Sequence, residues 1–239
     1  MGDGSRLARQ ARAILHEADT FAAAEFLHQQ GPPDAVLDGC HALLHDCGAS
    51  DRLPEGTLLA AAAALQYGLD ESHRLARQDI PAALRLRDRV RLLAADLGRC
   101  AWPDVGDAAT TAAGREAARL ALRLTLELDC GDAAMSRAHR LVGRHWLVVR
   151  AWRAARHHLG LAAHYAQRAG LAGEAALAQG LAALVDEQLN PGDRAAHTAV
   201  AAARQTLDAP GADPYLAHEL HTAAALLRRD GLDFPPASD

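Results

Sequence analysis

Apolar residues return every third or fourth position along most of this chain, the spacing that places them on one face of a helix. Leu37, Cys40, Leu44 and Cys47 make one such seam, Leu86, Val90, Leu93 and Leu97 a second, and Ala113, Ala117, Leu120, Leu124 and Leu128 a third. Turn residues punctuate them. Gly31, Pro32 and Pro33 close a first helix over about 5–30, and Asp34 caps a second that runs to 47. Residues 48–55 read as a loop, followed by helices at 56–67 and 71–78. Asp79 with Pro81 forms an N-cap and first-turn pair for a helix to about 97. A break at 98–106, containing Trp102 and Pro103, separates these from a helix at 107–128. A turn at 129–132 leads into a long helical stretch to about 169, with Gly143 as its candidate break. Gly170 precedes a helix at 172–189, the run from Asn190 to Asp193 stops it and caps the next, and Pro214 opens a last helix to about 229.

Composition narrows this to one fold class. Alanine and leucine supply about two fifths of the 239 residues, while aromatics make up 4%. Both are strong helix formers, and the residues that favour strands are scarce. The expected fold is all-α, an antiparallel helical bundle or a short α-solenoid of helical hairpins. It divides into an N-terminal bundle at 1–100, a repeat-like hairpin region at 107–230 and a flexible tail at 231–239, an arrangement equally compatible with one continuous domain. The longest apolar run, Leu58 to Leu65, is far shorter than the roughly 20 residues of a spanning helix. The N-terminal residues have no signal-peptide core. Cys40, Cys47, Cys100 and Cys130 do not make a disulfide framework and read as reduced thiols. A cytoplasmic protein without a membrane partner is expected.

One segment resembles a known repeat. Residues 153–190 carry small residues in two consecutive helical stretches, Gly170 at the turn between them and Pro191 after the second. With Leu159, Gly160 and Tyr165 of the appropriate types, the segment resembles a tetratricopeptide-type hairpin, over about a third of the chain. The resemblance implies stacked helix pairs and a protein or peptide ligand.

A second resemblance lies in the N-terminal half. The stretch from Ala42 to Gly48 ends an apolar helix in Leu43, Leu44, His45 and Asp46, with His16 located 29 residues before His45 and Asp96 on a later helix. This resembles the signature of the HD-domain metal-dependent phosphohydrolases. That resemblance implies that His16, His45, Asp46 and Asp96 hold a divalent metal, which would activate water and polarise a phosphoryl oxygen. The chain departs from the family pattern at Ala49, where a lysine often follows the glycine. A plainer reading of the same residues is available: Asp34, Asp38, His41 and His45 follow one another at helical spacing, as a solvated polar stripe beside the apolar seam does.

Charge changes the picture last. The formal net charge is −5, and every one of the 25 basic residues is an arginine. Between Asp132 and Glu174 there is no acidic residue, whereas Arg137, Arg140, Arg144, Arg150, Arg153, Arg156 and Arg168 all fall there, with five histidines among them. On one continuous helix, Leu141, His145, Val148, Trp152, Ala155 and Leu159 form the buried face, which leaves Trp146, Arg150, Arg153 and His157 as an outward stripe. Tryptophan and arginine are the residues that most often anchor interfaces. Internal packing against Asp186 and Glu187 is the competing explanation. Nucleic acid fits poorly with a pI near 6.2 and no accompanying motif.

Two functions follow. The leading one is a cytoplasmic helical interaction or regulatory module, without a cofactor, that binds a protein or peptide of acidic character through Trp146, Arg150, Arg153 and His157, and is compatible with a homo-oligomer. The alternative is an HD-type phosphohydrolase acting on a phosphate ester or nucleotide, with a divalent metal at His16, His45, Asp46 and Asp96.

Overall fold

A computed structural model describes residues 20–47, 55–102 and 108–228, and before them residues 6, 9–11, 13, 14, 17 and 18. Ten helices and no strand are present among the described residues, so the fold is all-α. The chain divides into two compact units, Met1–Leu128 and Asp129–Asp239. The division falls after the helix that follows residues 98–106, where the sequence suggested it would precede that helix. The reason is packing: that helix lies against its predecessor in the first unit.

The first unit contains α1 (Thr20–Gln29), α2 (Pro33–Cys47), α3 (Glu55–Leu75), α4 (Ile80–Cys100) and α5 (Ala108–Glu127). Helix α3 packs on α1, α2 and α4, and α4 packs in turn on α2 and α5. Most of the seam residues read from the sequence are buried: Leu37, Cys40 and Leu44 from α2, Leu86, Val90, Leu93 and Leu97 from α4, and Ala117 and Leu124 from α5, with Ala113, Leu120 and Leu128 half-buried and the Cys47 side chain outside the described residues. Burial pushes the Cys40 thiol up to about 12, so it behaves as a small core hydrophobe. The Asp79 side chain accepts a hydrogen bond from the Ala82 amide at 2.9 Å and Pro81 sits in the first turn, as the sequence indicated.

One boundary is corrected. The helices expected at 56–67 and 71–78 are a single helix, α3, which passes through Gly68 without a break. That glycine is a contact point: a Cβ there would lie 2.5 Å from Cγ2 of Val90 and 3.3 Å from Leu37. The absence of a side chain at Gly68 lets α3 approach α4.

The second unit contains α6 (Gly131–Val148), α7 (Trp152–Arg168), α8 (Ala172–Leu189), α9 (Arg194–Leu207) and α10 (Pro214–Arg228). Each helix packs on the next, and α8 also meets α10. Helix α8 is buried almost all round from Ala175 to Val185, which is why its sequence shows no clear polar face. The long stretch to residue 169 is broken at Val149–Ala151, not at Gly143. Gly143 is buried mid-helix, and a Cβ there would meet Cγ of Leu159 at 2.7 Å.

The break has a definite geometry. Arg150 adopts a left-handed conformation with φ of 58°, its amide donates to the Leu147 carbonyl at 3.1 Å, and the Ala151 amide donates to the Trp146 carbonyl at 3.0 Å. These two bonds make a Schellman closure. The same closure recurs after α7, where Gly170 has φ of 71° and the Leu171 amide donates to the Ala166 carbonyl at 2.9 Å. The hairpin of α7 and α8 thus has the turn at Gly170 that the sequence indicated. No helix among the described residues is long and apolar enough to cross a membrane.

Candidate functional site

The arginines of the basic segment have different fates. Five are drawn into ion pairs within the second unit. Arg137 meets Glu174 at 2.8 Å, Arg156 meets Asp186 at 2.7 Å and Arg168 meets Asp132 at 3.0 Å. Arg144 and Arg140 both turn to Glu219 of α10, at 2.9 and 3.7 Å. Glu219 is only 2% exposed, so this is a buried charge cluster. The remaining two, Arg150 and Arg153, are exposed and have no ion-pair partner among the described residues.

Those two flank the corner between α6 and α7. Arg150 is the left-handed residue of the turn, Arg153 lies in the first turn of α7, and exposed His157 follows one turn later. Trp146 is in the last turn of α6 and is half-buried. The expected outward stripe presumed one continuous helix. The break at Val149–Ala151 instead distributes its members over two helices and the turn between them. The buried face fares better, since Leu141, His145, Val148, Ala155 and Leu159 are all buried, with Trp152 half-buried.

A feature not foreseen from the sequence lies along the same hairpin. Nδ1 of His139 on α6 is 3.0 Å from Nδ1 of His158 on α7, so one ring donates and the other accepts. The Tyr165 ring lies nearly parallel to His139, 5.7 Å from it between centroids. His157 meets His158 edge-on, and the Arg168 guanidinium lies 5.9 Å over Tyr165. Burial first, then the neighbouring His158 and His157, pushes the His139 pKa down to about 4. Burial and then His157 depress His158 as well. The signal was present in the seven-residue spacing of His158 and Tyr165, which puts both on one face of α7. It needed the helix break to bring His139 opposite them.

In the first unit, Asp96 of α4 is buried and its carboxylate is met by His41 Nδ1 at 2.9 Å and by Arg99 one turn away. His41 precedes His45 by one turn of α2, and α2 packs directly on α4. His16 lies outside the described residues. His45 and Asp46 belong to the last turn of α2, but their side chains are likewise outside the description. Among the described residues, no three His, Cys, Asp or Glu side chains converge on a common metal position.

Together these features define an all-α protein of packed helical hairpins, with an arginine-bearing corner in its second unit. No protein-family model, curated protein or solved structure shows significant similarity to the chain.

Proposed function

We propose that the protein is a cytoplasmic interaction or regulatory module whose second unit, a tetratricopeptide-like stack of hairpins, captures an acidic protein or peptide segment at the corner between α6 and α7. The observation that carries this reading is the segregation of the arginines. Five of the seven in the basic segment are drawn into ion pairs with four carboxylates inside the unit, and the two left over are close in sequence, exposed and flanked by His157 and Trp146. A planar guanidinium recognises carboxylates in a two-pronged geometry, and a half-buried indole supplies rigid apolar contact beside it. Backbone strain adds support. Arg150 occupies a conformation that favours glycine, and strained residues gather where a side chain is needed in place.

The test uses a fluorescein-labelled peptide rich in glutamate and aspartate with one central aromatic. Wild-type protein should bind it with an affinity that falls as salt rises. The Arg150→Glu/Arg153→Glu double variant should lose at least about tenfold in affinity, near 1.4 kcal/mol, with its helical circular dichroism unchanged. Equal binding by the folded double variant would overturn the proposal. Trp146→Ala should also weaken binding; loss of helicity in that variant would assign Trp146 to internal packing.

The phosphohydrolase reading retains one support, that the helix carrying His45 and Asp46 packs on the helix carrying Asp96. Divalent metal retained by purified protein and lost in His45→Ala would favour it. Metal content indifferent to that substitution removes it.

A further inference from the structure

The imidazole pair between α6 and α7 lies beside the proposed corner, which it touches only through the edge-on contact of His158 with His157, and its nitrogen spacing matches that of a chelate. Two nitrogens bound at about 2.0–2.1 Å to one metal ion, at angles between a right angle and the tetrahedral one, lie about 2.9–3.4 Å apart. Nδ1 of His139 and Nδ1 of His158 are 3.0 Å apart. The two rings are tilted by 33°, and histidine χ2 is a broad torsion, so rotation of the rings can redirect their Nδ1 atoms from each other toward a shared point beside the line joining them.

The surroundings fix the pair in place. Ser136, one turn before His139, donates to the Ala162 carbonyl across the helix interface at 2.9 Å, which locks the register of α6 against α7. Tyr165 stacks on His139 and holds its ring plane. His139 is buried while His158 is half-buried, so the pair opens to solvent on the His158 side. With no third ligating side chain convergent among the described residues, water completes the coordination sphere. Such a donor set suits imidazole-seeking late first-row cations, of which copper(II) binds most tightly in the usual order. It does not suit magnesium or calcium, which require oxygen ligands.

We infer that His139 and His158 form a two-imidazole site for a late first-row divalent cation, held between α6 and α7 by side chains other than the arginines of the acidic-segment corner. Binding shifts one ring from its Nδ1–H to its Nε2–H tautomer, so that both Nδ1 lone pairs face the metal and no net proton is released.

The probe is copper(II), with nickel(II) and zinc(II) for comparison, titrated by calorimetry into chelator-treated full-length protein. Electron paramagnetic resonance on the copper sample reads nitrogen coupling directly. One equivalent of copper should bind with two coupled imidazole nitrogens, more tightly than nickel or zinc. His158→Gln should weaken that binding at least about tenfold, whereas His218→Gln/His221→Gln, which removes a surface pair on α10, should leave it unchanged. Wild-type affinity in folded His158→Gln, or loss of the site in the α10 variant instead, would overturn the assignment. His139→Gln adds a second arm. If that buried substitution unfolds the chain, His158→Gln decides alone.

Discussion

Helix α7 is shared by two hairpins, and they are built to different rules. Its seam with α8 is an alanine interface, with Ala162, Ala163 and Ala178 buried together, closed by a glycine in the left-handed conformation. Its hairpin with α6 holds a histidine pair across the seam, has the same left-handed closure made by an arginine, and sends Arg144 from α6 into a buried ion pair with Glu219 of α10. The alanine hairpin is the low-cost solution: small side chains, close backbones and no strained residue. The α6–α7 hairpin departs from it three times, by burying imidazoles, by burying charge and by placing a non-glycine residue in the left-handed region. Chains usually accumulate such departures where a particular side chain is needed, which is why the candidate sites of this unit lie on that hairpin.

The largest effect that would sharpen the contrast concerns Glu219. Removing one partner of a buried ion pair leaves the other charge uncompensated and typically costs about 3–5 kcal/mol. Glu219→Gln should therefore lower unfolding stability by that order in urea titrations, since Arg144 is nearly as buried as its partner. Arg156→Ala, which breaks an exposed pair with Asp186 on the α7–α8 side, should cost at most about 1 kcal/mol. Equal losses in the two variants would erase the distinction between the hairpins.

Next in size is a pH dependence confined to the histidine seam. His139 has its pKa lowered from 6.5 to about 4 by burial and by His158 and His157. A group whose folded pKa lies below its unfolded value takes up protons preferentially in the unfolded state as pH falls. The protein should thus lose stability below about pH 6.5, by about 2 kcal/mol at pH 5, and the loss should level off below about pH 4. Urea midpoints of chelator-treated protein at pH 7 and pH 5 measure this. His139→Phe should flatten the difference; a wild-type midpoint that stays constant across that interval would show that burial does not hold the imidazole neutral.

How much of this was legible follows from the range of each interaction. The seams of α2, α4 and α5 could be read directly, because one apolar face in a polar helix leaves a local period. Helix α8 is apolar almost all round between Ala175 and Val185, so its flanking Gly170 and Pro191 rather than a period revealed its ends. Glycine misled at one position: Gly143 is the candidate break in the sequence, yet it is a buried contact point, as Gly68 is within α3, and the true break at Arg150 carries neither glycine nor proline. Of the candidate site, the corner residues could be named from charge and aromatic spacing, but not which arginines would be drawn into ion pairs. Arg144 and Glu219 stand 75 positions apart in sequence, and His139 meets His158 only because the chain reverses between them. Pairings of that kind are products of tertiary packing, which one-dimensional periodicity does not encode.

The smallest expected effect is the most discriminating, because it opposes stability to binding at one residue. Arg150 and Gly170 occupy equivalent positions in two Schellman closures. For a non-glycine residue, the left-handed region costs roughly 1–2 kcal/mol, offset in part by the greater freedom glycine gains in the unfolded chain. Arg150→Gly should therefore raise stability by up to about 1 kcal/mol, while Gly170→Ala should lower it by about as much. If Arg150 is at this corner for its guanidinium, the more stable Arg150→Gly protein binds the acidic peptide more weakly than wild type. A variant both more stable and equally good at binding would mean that the strain at Arg150 serves no recognition, and that the two hairpins differ in construction alone.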